Sequence, residues 1–347
     1  MIILSLIVIG FAKTIRREQR QVLDRQLSTQ AFYAAESGVN DVGSAIKKLS
    51  PSELVTLGAN SNNYKNDCKQ FITDYIPAPG NQLSGTDVEY TCLLVDPAPS
   101  TLSYPNVDTT DSTVIPIISS SAISSITLSW QSSTAGSNFG QCPAAGLNLK
   151  KPVWDTKACD AGVLRVDLVP TSNLIRANLA SSVLTTFIYP QSGATGSFGT
   201  LDFTNAADHN GSTKTALCNS IRSNPSLNSC NFVISGLGGN QYYLRVRSVY
   251  EPNTLLVCAN SNDCSSGINL AGAQAAVDAT GKATDVLRRI SARIDVSGSG
   301  NGVPSFAIQS KDSVCKRLAV TDTGASFDSS GVPGGISGTS AGGVCYP

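Results

Sequence analysis

The residues with the most chemical capacity in this chain of 347 are ten cysteines: Cys68, Cys92, Cys142, Cys159, Cys218, Cys230, Cys258, Cys264, Cys315 and Cys345. Thiols can ligate metal, attack as nucleophiles or pair as disulfides. No two of them have the two-residue gap of a zinc knuckle, and the only histidine, His209, does not complete a Cys/His site of the usual spacing. An even number spread over everything beyond residue 67 favours disulfides instead. Disulfides persist outside the cytosol, so the cysteine-bearing part is expected to be exported. Ten thiols allow about 945 pairings, and sequence does not choose among them. Short local loops would be closed by Cys68 with Cys92, Cys142 with Cys159, Cys218 with Cys230 and Cys258 with Cys264, which leaves Cys315 for Cys345. A set of buried reduced thiols is the alternative.

Catalytic motifs are matched only in outline. Gly338-Thr339-Ser340-Ala341-Gly342 fits G-x-S-x-G. A nucleophile elbow, however, needs a strand before it, a helix after it and a histidine downstream, and here the serine sits in a glycine-rich tail with His209 upstream. Gly298, Gly300 and Gly302 lack the strand-to-helix setting of a dinucleotide loop. Asp322 and Asp328 do not make an EF-hand, because Gly324 and Ser326 occupy positions where that loop alternates its oxygen ligands. His209, in the loop NAADHNG, reads as a surface residue, and Asn210-Gly211-Ser212 is a glycosylation sequon of little weight. No enzyme, cofactor or metal site is expected.

Composition narrows the field further. Lys and Arg total 25, as do Asp and Glu, so no global field steers the chain toward nucleic acid. Charged residues make up 14% and hydrophobic residues 41%, which is too apolar for a wholly disordered chain. The length allows two domains or one large β-rich one.

The elements that would carry these cysteines divide near residue 50. MIILSLIVIGFA has no charge, and KTIRREQRQVLDRQLSTQ follows with five basic residues between Lys13 and Arg25. No proline precedes Pro51, and Ser50-Pro51 is a stop signal, because a residue before proline disfavours helix. A helix held to Leu49 would be about 75 Å long. Phe11, Ile15, Val22, Phe32, Val39, Val42, Ile46 and Leu49 recur mostly at separations of three, four or seven, as one helical face requires. Crossing a bilayer takes roughly 20 apolar residues, whereas about twelve cover some 18 Å. Met1 is therefore expected to lie inside a longer hydrophobic stretch. A cleaved signal peptide is the rival, but neither a basic leading region nor a small-residue cleavage site flanks the segment. The basic cluster alone would place residues 13 onward in the cytoplasm; the cysteines say the opposite and are given more weight.

The apolar head, the continuation IRREQRQVLDRQLSTQ and above all AFYAAESGVNDV at 31–42 resemble the N-terminal helix of PilX-type minor pilins of type IV pili. Ala31, Ala34, Ala35, Glu36, Ser37, Gly38, Val39 and Asp41 carry the match, which covers about 50 residues strongly. The resemblance implies a membrane anchor that becomes an assembly helix, processing by a prepilin peptidase, and partners among other pilin subunits and the pilus assembly machinery. The basic leader ending in glycine and the glutamate at mature position five are not visible. Taken singly, Glu36 and Asp41 read more simply as solvated helix charges.

Beyond residue 50 short β-branched runs alternate with turn residues. VEYTCLLV from Val88, STVIPIIS from Ser112, AISSITLSWQ from Ala122, GVLRVDLVP from Gly162, VLTTFIY from Val183, YYLRVRSVY from Tyr242, TLLVC from Thr254 and RISARIDV from Arg289 are the predicted strands. Ile126, Leu128 and Trp130 alternate with Thr127 and Ser129 as in a half-buried strand, and Ile290, Ala292, Ile294 and Val296 do likewise. AQAAVDATGKATDVLRRISARIDV reads as two strands joined around Gly281, which resembles the closing hairpin of pilin heads. Residues 112–149 and 177–201 carry no charge, a composition that suits packing against neighbours or a sugar-binding adhesin.

The fold expected is α+β: a membrane and assembly helix over 1–50, a disulfide-braced β-rich head over 51–326 and a Gly/Ser-rich tail over 327–347. The function expected is a minor or tip subunit of a type IV pilus or related filament, membrane-held as a precursor and then extracellular. A surface adhesin binding host glycan or protein is the alternative, and a secreted hydrolase a third.

Overall fold

The computed structural model describes residues 2–77, 87–132, 162–171, 182–192, 199–209, 211–218 and 230–297. The fold is mixed α+β. Helix α1 (Ile2–Ile46) extends about 68 Å at 1.5 Å per residue. It stops short of Leu49, and Ser50-Pro51 turns out to begin a helix rather than end one. Ser50 caps α2 (Pro51–Ala59): its Oγ accepts from the Glu53 amide at 3.4 Å, while its own amide donates to Glu53 Oε2 at 2.7 Å. Proline at the first helical position loses no hydrogen bond. Two short helices follow, α3 (Ser61–Asn66) and α4 (Gln70–Tyr75), so the head opens with helices before its first strand.

The described residues contain thirteen strands. They are β1 (Val88–Asp96), β2 (Thr101–Val107), β3 (Thr113–Ile118), β4 (Ile126–Ser132), β5 (Val163–Pro170), β6 (Leu184–Ser192) and β7 (Gly199–Asp202). After these come β8 (Ser212–Cys218), β9 (Cys230–Ser235), β10 (Gln241–Val249), β11 (Asn253–Ala259), β12 (Gln274–Ala283) and β13 (Val286–Asp295). One antiparallel sheet has the order β1-β12-β13; the other runs β2-β11-β4-β9-β8-β6-β5-β10-β3, with β7 beside β9.

The larger sheet is curled. The Trp130 indole on β4 donates to the Gly162 carbonyl at the start of β5 at 2.9 Å, although three strands separate the two in sheet order. Ser248 at the end of β10 donates its amide to the Asp108 carbonyl just past β2 at 3.1 Å. Inside lies one apolar core, in which Trp130, Phe232, Ile115, Leu128, Val166 and Leu244 have no solvent contact. Each such side chain contributes about 1.5–3 kcal/mol relative to exposure. Gln274 of β12 clamps the two sheets, donating to the Ser103 carbonyl at 2.7 Å and accepting from its amide at 2.9 Å.

Two strand expectations need correcting. Thr127 and Ser129 are fully buried, so β4 is covered on both faces; the Thr127 hydroxyl is satisfied by the Ser261 carbonyl at 2.6 Å. The β12–β13 hairpin turns at Thr284-Asp285, with Thr284 at φ +56°, and Gly281 lies inside β12.

Disulfides join Cys68 to Cys92, Cys218 to Cys230 and Cys258 to Cys264. The first ties the end of α3 to β1, where the Leu93 amide also donates to the Cys68 carbonyl at 3.0 Å. Cys142, Cys159, Cys315 and Cys345 lie outside the described residues, as do Asn210, Gly298, Gly300, Gly302, Asp322, Asp328, the 338–342 motif and the 327–347 tail.

Candidate functional site

The residues quoted for the N-terminal helix divide into two sets. Val39, Val42 and Ile46 are buried against the three-stranded sheet with Tyr90, Leu93 and Val277. Phe11, Ile15, Val22 and Phe32 are exposed, Phe11 by 65% and Val22 by 63%. The single face expected from the spacing is therefore two faces. At about 100° per residue, Phe11, Ile15, Val22 and Tyr33 fall within about 40° of one another on an ideal helix. Ala31, Ala35, Gly38 and Val42 lie roughly opposite.

The AFYAAESGVND segment works as a docking stripe. Ala31, Ala34, Ala35 and Gly38 are buried, and the β12 backbone comes so close that a Cβ on Gly281 would overlap the Ala31 carbonyl oxygen and press on the Ala35 amide. A Cβ on Gly38 would stand 2.8 Å from Leu93 Cδ2 and 3.1 Å from Tyr90 Cγ. Small residues at i, i+4 and i+7 lower that side of the helix until backbone meets backbone. Gly281 thus serves close approach rather than turning, and it is the residue that sequence reasoning misassigned. Its one legible sign was a glycine inside an otherwise regular strand pattern.

Polar contacts lock the docked position. The Tyr90 hydroxyl donates to Asp41 Oδ2 at 3.0 Å, which removes Asp41 from the solvated helix charges. Burial first, and the Asp41 charge second, push the Tyr90 phenol above its ordinary range. Arg288 Nε donates to Ser28 Oγ at 2.7 Å from the β13 side. Neither Ser28, Tyr90 nor Arg288 stood out in the sequence, because each acts through a partner far along the chain. Glu36, by contrast, is exposed, between the azimuths of Phe32 and Tyr33 on an ideal helix.

Before residue 27 the described side chains of α1 are exposed. Lys13, Arg16, Arg17 and Arg20 share a side at spacings of three and four, and this side continues the azimuth of the docking stripe. Phe11, Ile15, Val22 and Tyr33 are spread along the other side over about 33 Å, with Glu18, Arg25 and Thr29 at neighbouring azimuths between them. Among the described residues no helix is long and apolar enough to cross a membrane.

Elsewhere, His209 Nε2 lies 2.9 Å from the Phe203 carbonyl oxygen and its ring packs on the Phe203 ring. Among the described residues no three His, Cys, Asp or Glu side chains converge as metal ligands would. The α1 geometry is that of a long helix docked at its C-terminal half, with Phe11, Ile15, Val22, Leu23, Phe32 and Tyr33 exposed. Comparison with protein-family models, with curated proteins and with solved structures found no match.

Proposed function

We propose that this chain is a pilin-like subunit of a type IV pilus or related filament, in a minor or tip position. In this reading α1 anchors the precursor in the cell membrane and then packs among the helices of neighbouring subunits, and the assembly machinery makes that transfer. The disulfide-braced head faces the outside. The observation that carries the reading is that Phe11, Ile15, Val22, Phe32 and Tyr33 stay exposed on a long helix whose C-terminal half is docked on the head. Each of these side chains gains about 1.5–3 kcal/mol when taken from water, whether by lipid or by another helix. Glu36 lies among them with its carboxylate at the surface, placed to choose a cationic neighbour in a helix bundle. The resemblance of residues 31–42 to PilX-type helices points the same way, and the disulfides fit an oxidising exterior.

Deletion of residues 2–24 tests the proposal while leaving the docking stripe whole. The truncated chain is expected to be soluble and folded, with its disulfides formed, and absent from filaments sheared off the host cell. Truncated protein entering those filaments at the full-length level would refute the assembly role of α1.

A further inference from the structure

The outward face of the curled sheet holds a second cluster, unrelated to α1. Register sets Arg165 of β5 opposite Arg247 of β10 and Phe187 of β6; Asp167, two residues on, stands opposite Arg245 and Thr185. Residues two apart share a strand face, and partners in register share it too. Three guanidiniums therefore share a face with one carboxylate, which Arg165 and Arg245 approach, while Val166, Leu244, Val246 and Ile188 on the other face fill the core. Like charges directly opposite on neighbouring strands oppose folding, and Arg165 with Arg247 is such a pair. One carboxylate offsets three guanidiniums only in part, and a local surplus of positive charge that works against stability is a candidate functional feature.

Most of the array is held in place by its own contacts. Asp167 accepts from Thr185 Oγ1 at 2.8 Å and from Arg165 Nη2 at 3.4 Å, with Arg165 Nε at 3.3 Å. Arg165 lies over the Phe187 ring, 6.0 Å from its centre. Arg247 spends Nε and Nη2 on the Thr109 carbonyl at 2.9 and 2.7 Å. Arg245 is different: its Nη1 comes no nearer to Asp167 than 3.9 Å, beyond hydrogen-bond range, and 28% of its side chain is accessible. The partly accessible Arg245 stands beside the exposed ring of Tyr243, two residues along the same strand face. Thr213 of β8, opposite Phe187, adds an exposed hydroxyl.

We propose that this face binds an acidic saccharide. Arg245 takes the sugar carboxylate through its two-pronged donor geometry, with Arg165 and Arg247 supplying the surrounding positive field. Tyr243 offers a flat apolar surface to the sugar ring, and threonine hydroxyls meet its hydroxyls. On this face the positive charge is one compact spot, whereas a nucleic-acid backbone asks for a track of cations. The site stands on the sheet alone and is independent of how α1 is used.

Calorimetric titration of the purified full-length chain with 3′-sialyllactose and with lactose decides the matter. Sialyllactose is expected to bind at least about tenfold more tightly than lactose, and its binding to weaken as salt is added. Arg245→Gln is expected to lower that affinity about tenfold, with Arg245→Lys recovering part of it. Asp167→Asn keeps the shape but removes the competing carboxylate, so it is expected to tighten binding, and weaker binding by the folded variant would overturn the proposal. The melting temperature of each variant separates binding loss from unfolding. The proposal is overturned by equal binding of the two sugars, by no heat with sialyllactose, by an unchanged affinity in Arg245→Gln, or by Arg245-dependent capture of a single-stranded oligonucleotide in place of the sugar.

Discussion

Residues 27–46 and 10–26 of α1 belong to one continuous helix and meet opposite fates. The first stretch carries Ala31, Ala34, Ala35 and Gly38 toward β12 and disappears into the head. The second carries Lys13, Arg16, Arg17 and Arg20 along the continuation of that side and leaves Phe11, Ile15 and Val22 bare on the other. Residue size explains the contrast. Small side chains let two backbones touch, the β12–β13 hairpin ends level with Leu27 and Ala31, and beyond it the same azimuth carries cations. Isolated helices have little stability of their own, so most of it comes from packing an apolar side. The free half therefore has an unmet requirement where the docked half has none.

The comparison breaks first at Gly281. Gly281→Val drives a side chain into the α1 backbone and is expected to lower stability by about 3 kcal/mol in urea unfolding. A loss under about 0.5 kcal/mol would mean that α1 does not rest on β12. Tyr90→Phe removes the bond to Asp41 and is expected to lower stability by about 1 kcal/mol. The same residue gives the docked half an alkaline signature. The Tyr90 phenol is raised in the folded chain, which favours the neutral form there; the stability it contributes is intact below the ordinary phenol value near pH 10 and is lost as pH climbs beyond it. Tyr64 and Tyr104 are raised as well, chiefly by burial. Unfolding followed from pH 8 to pH 11 is thus expected to show a decline above about pH 10 that Tyr90→Phe reduces without abolishing. An identical decline in the variant would contradict the Tyr90–Asp41 lock.

Much of this architecture could be read from local pattern. The unbroken run before Pro51 identified α1, and β-branched segments located β1, β3, β4, β5, β6, β10, β11 and β13. Three disulfides coincide with the shortest loops that cysteine spacing offered. What escaped was set by distance. β2 contains Pro105, which argues against a strand unless the proline falls at an irregular point, and its pairing with β11 breaks register between Asn253 and Leu255. Gly281 looked like a turn because glycine serves turns and close approaches alike, and only the helix beside it distinguishes the two. The single helical face failed because separations of seven drift by about 20° each and the ten-residue step from Val22 to Phe32 adds a further rotation. Arg165 and Arg245 are 80 positions apart in sequence, so their meeting was invisible until strand register brought them together.

The smallest expected change in stability belongs to the free half, and it carries the largest expected change in behaviour. Val22→Asp alters a side chain that touches nothing in the head, so its unfolding free energy is expected within about 0.5 kcal/mol of the parent. The direct measurement is the amount of folded, disulfide-bonded Val22→Asp chain in filaments sheared from the host, relative to the parent chain. The account predicts that it stays in the cell membrane and is missing from the filaments. Recovery of the variant in filaments at the parent's level would contradict it.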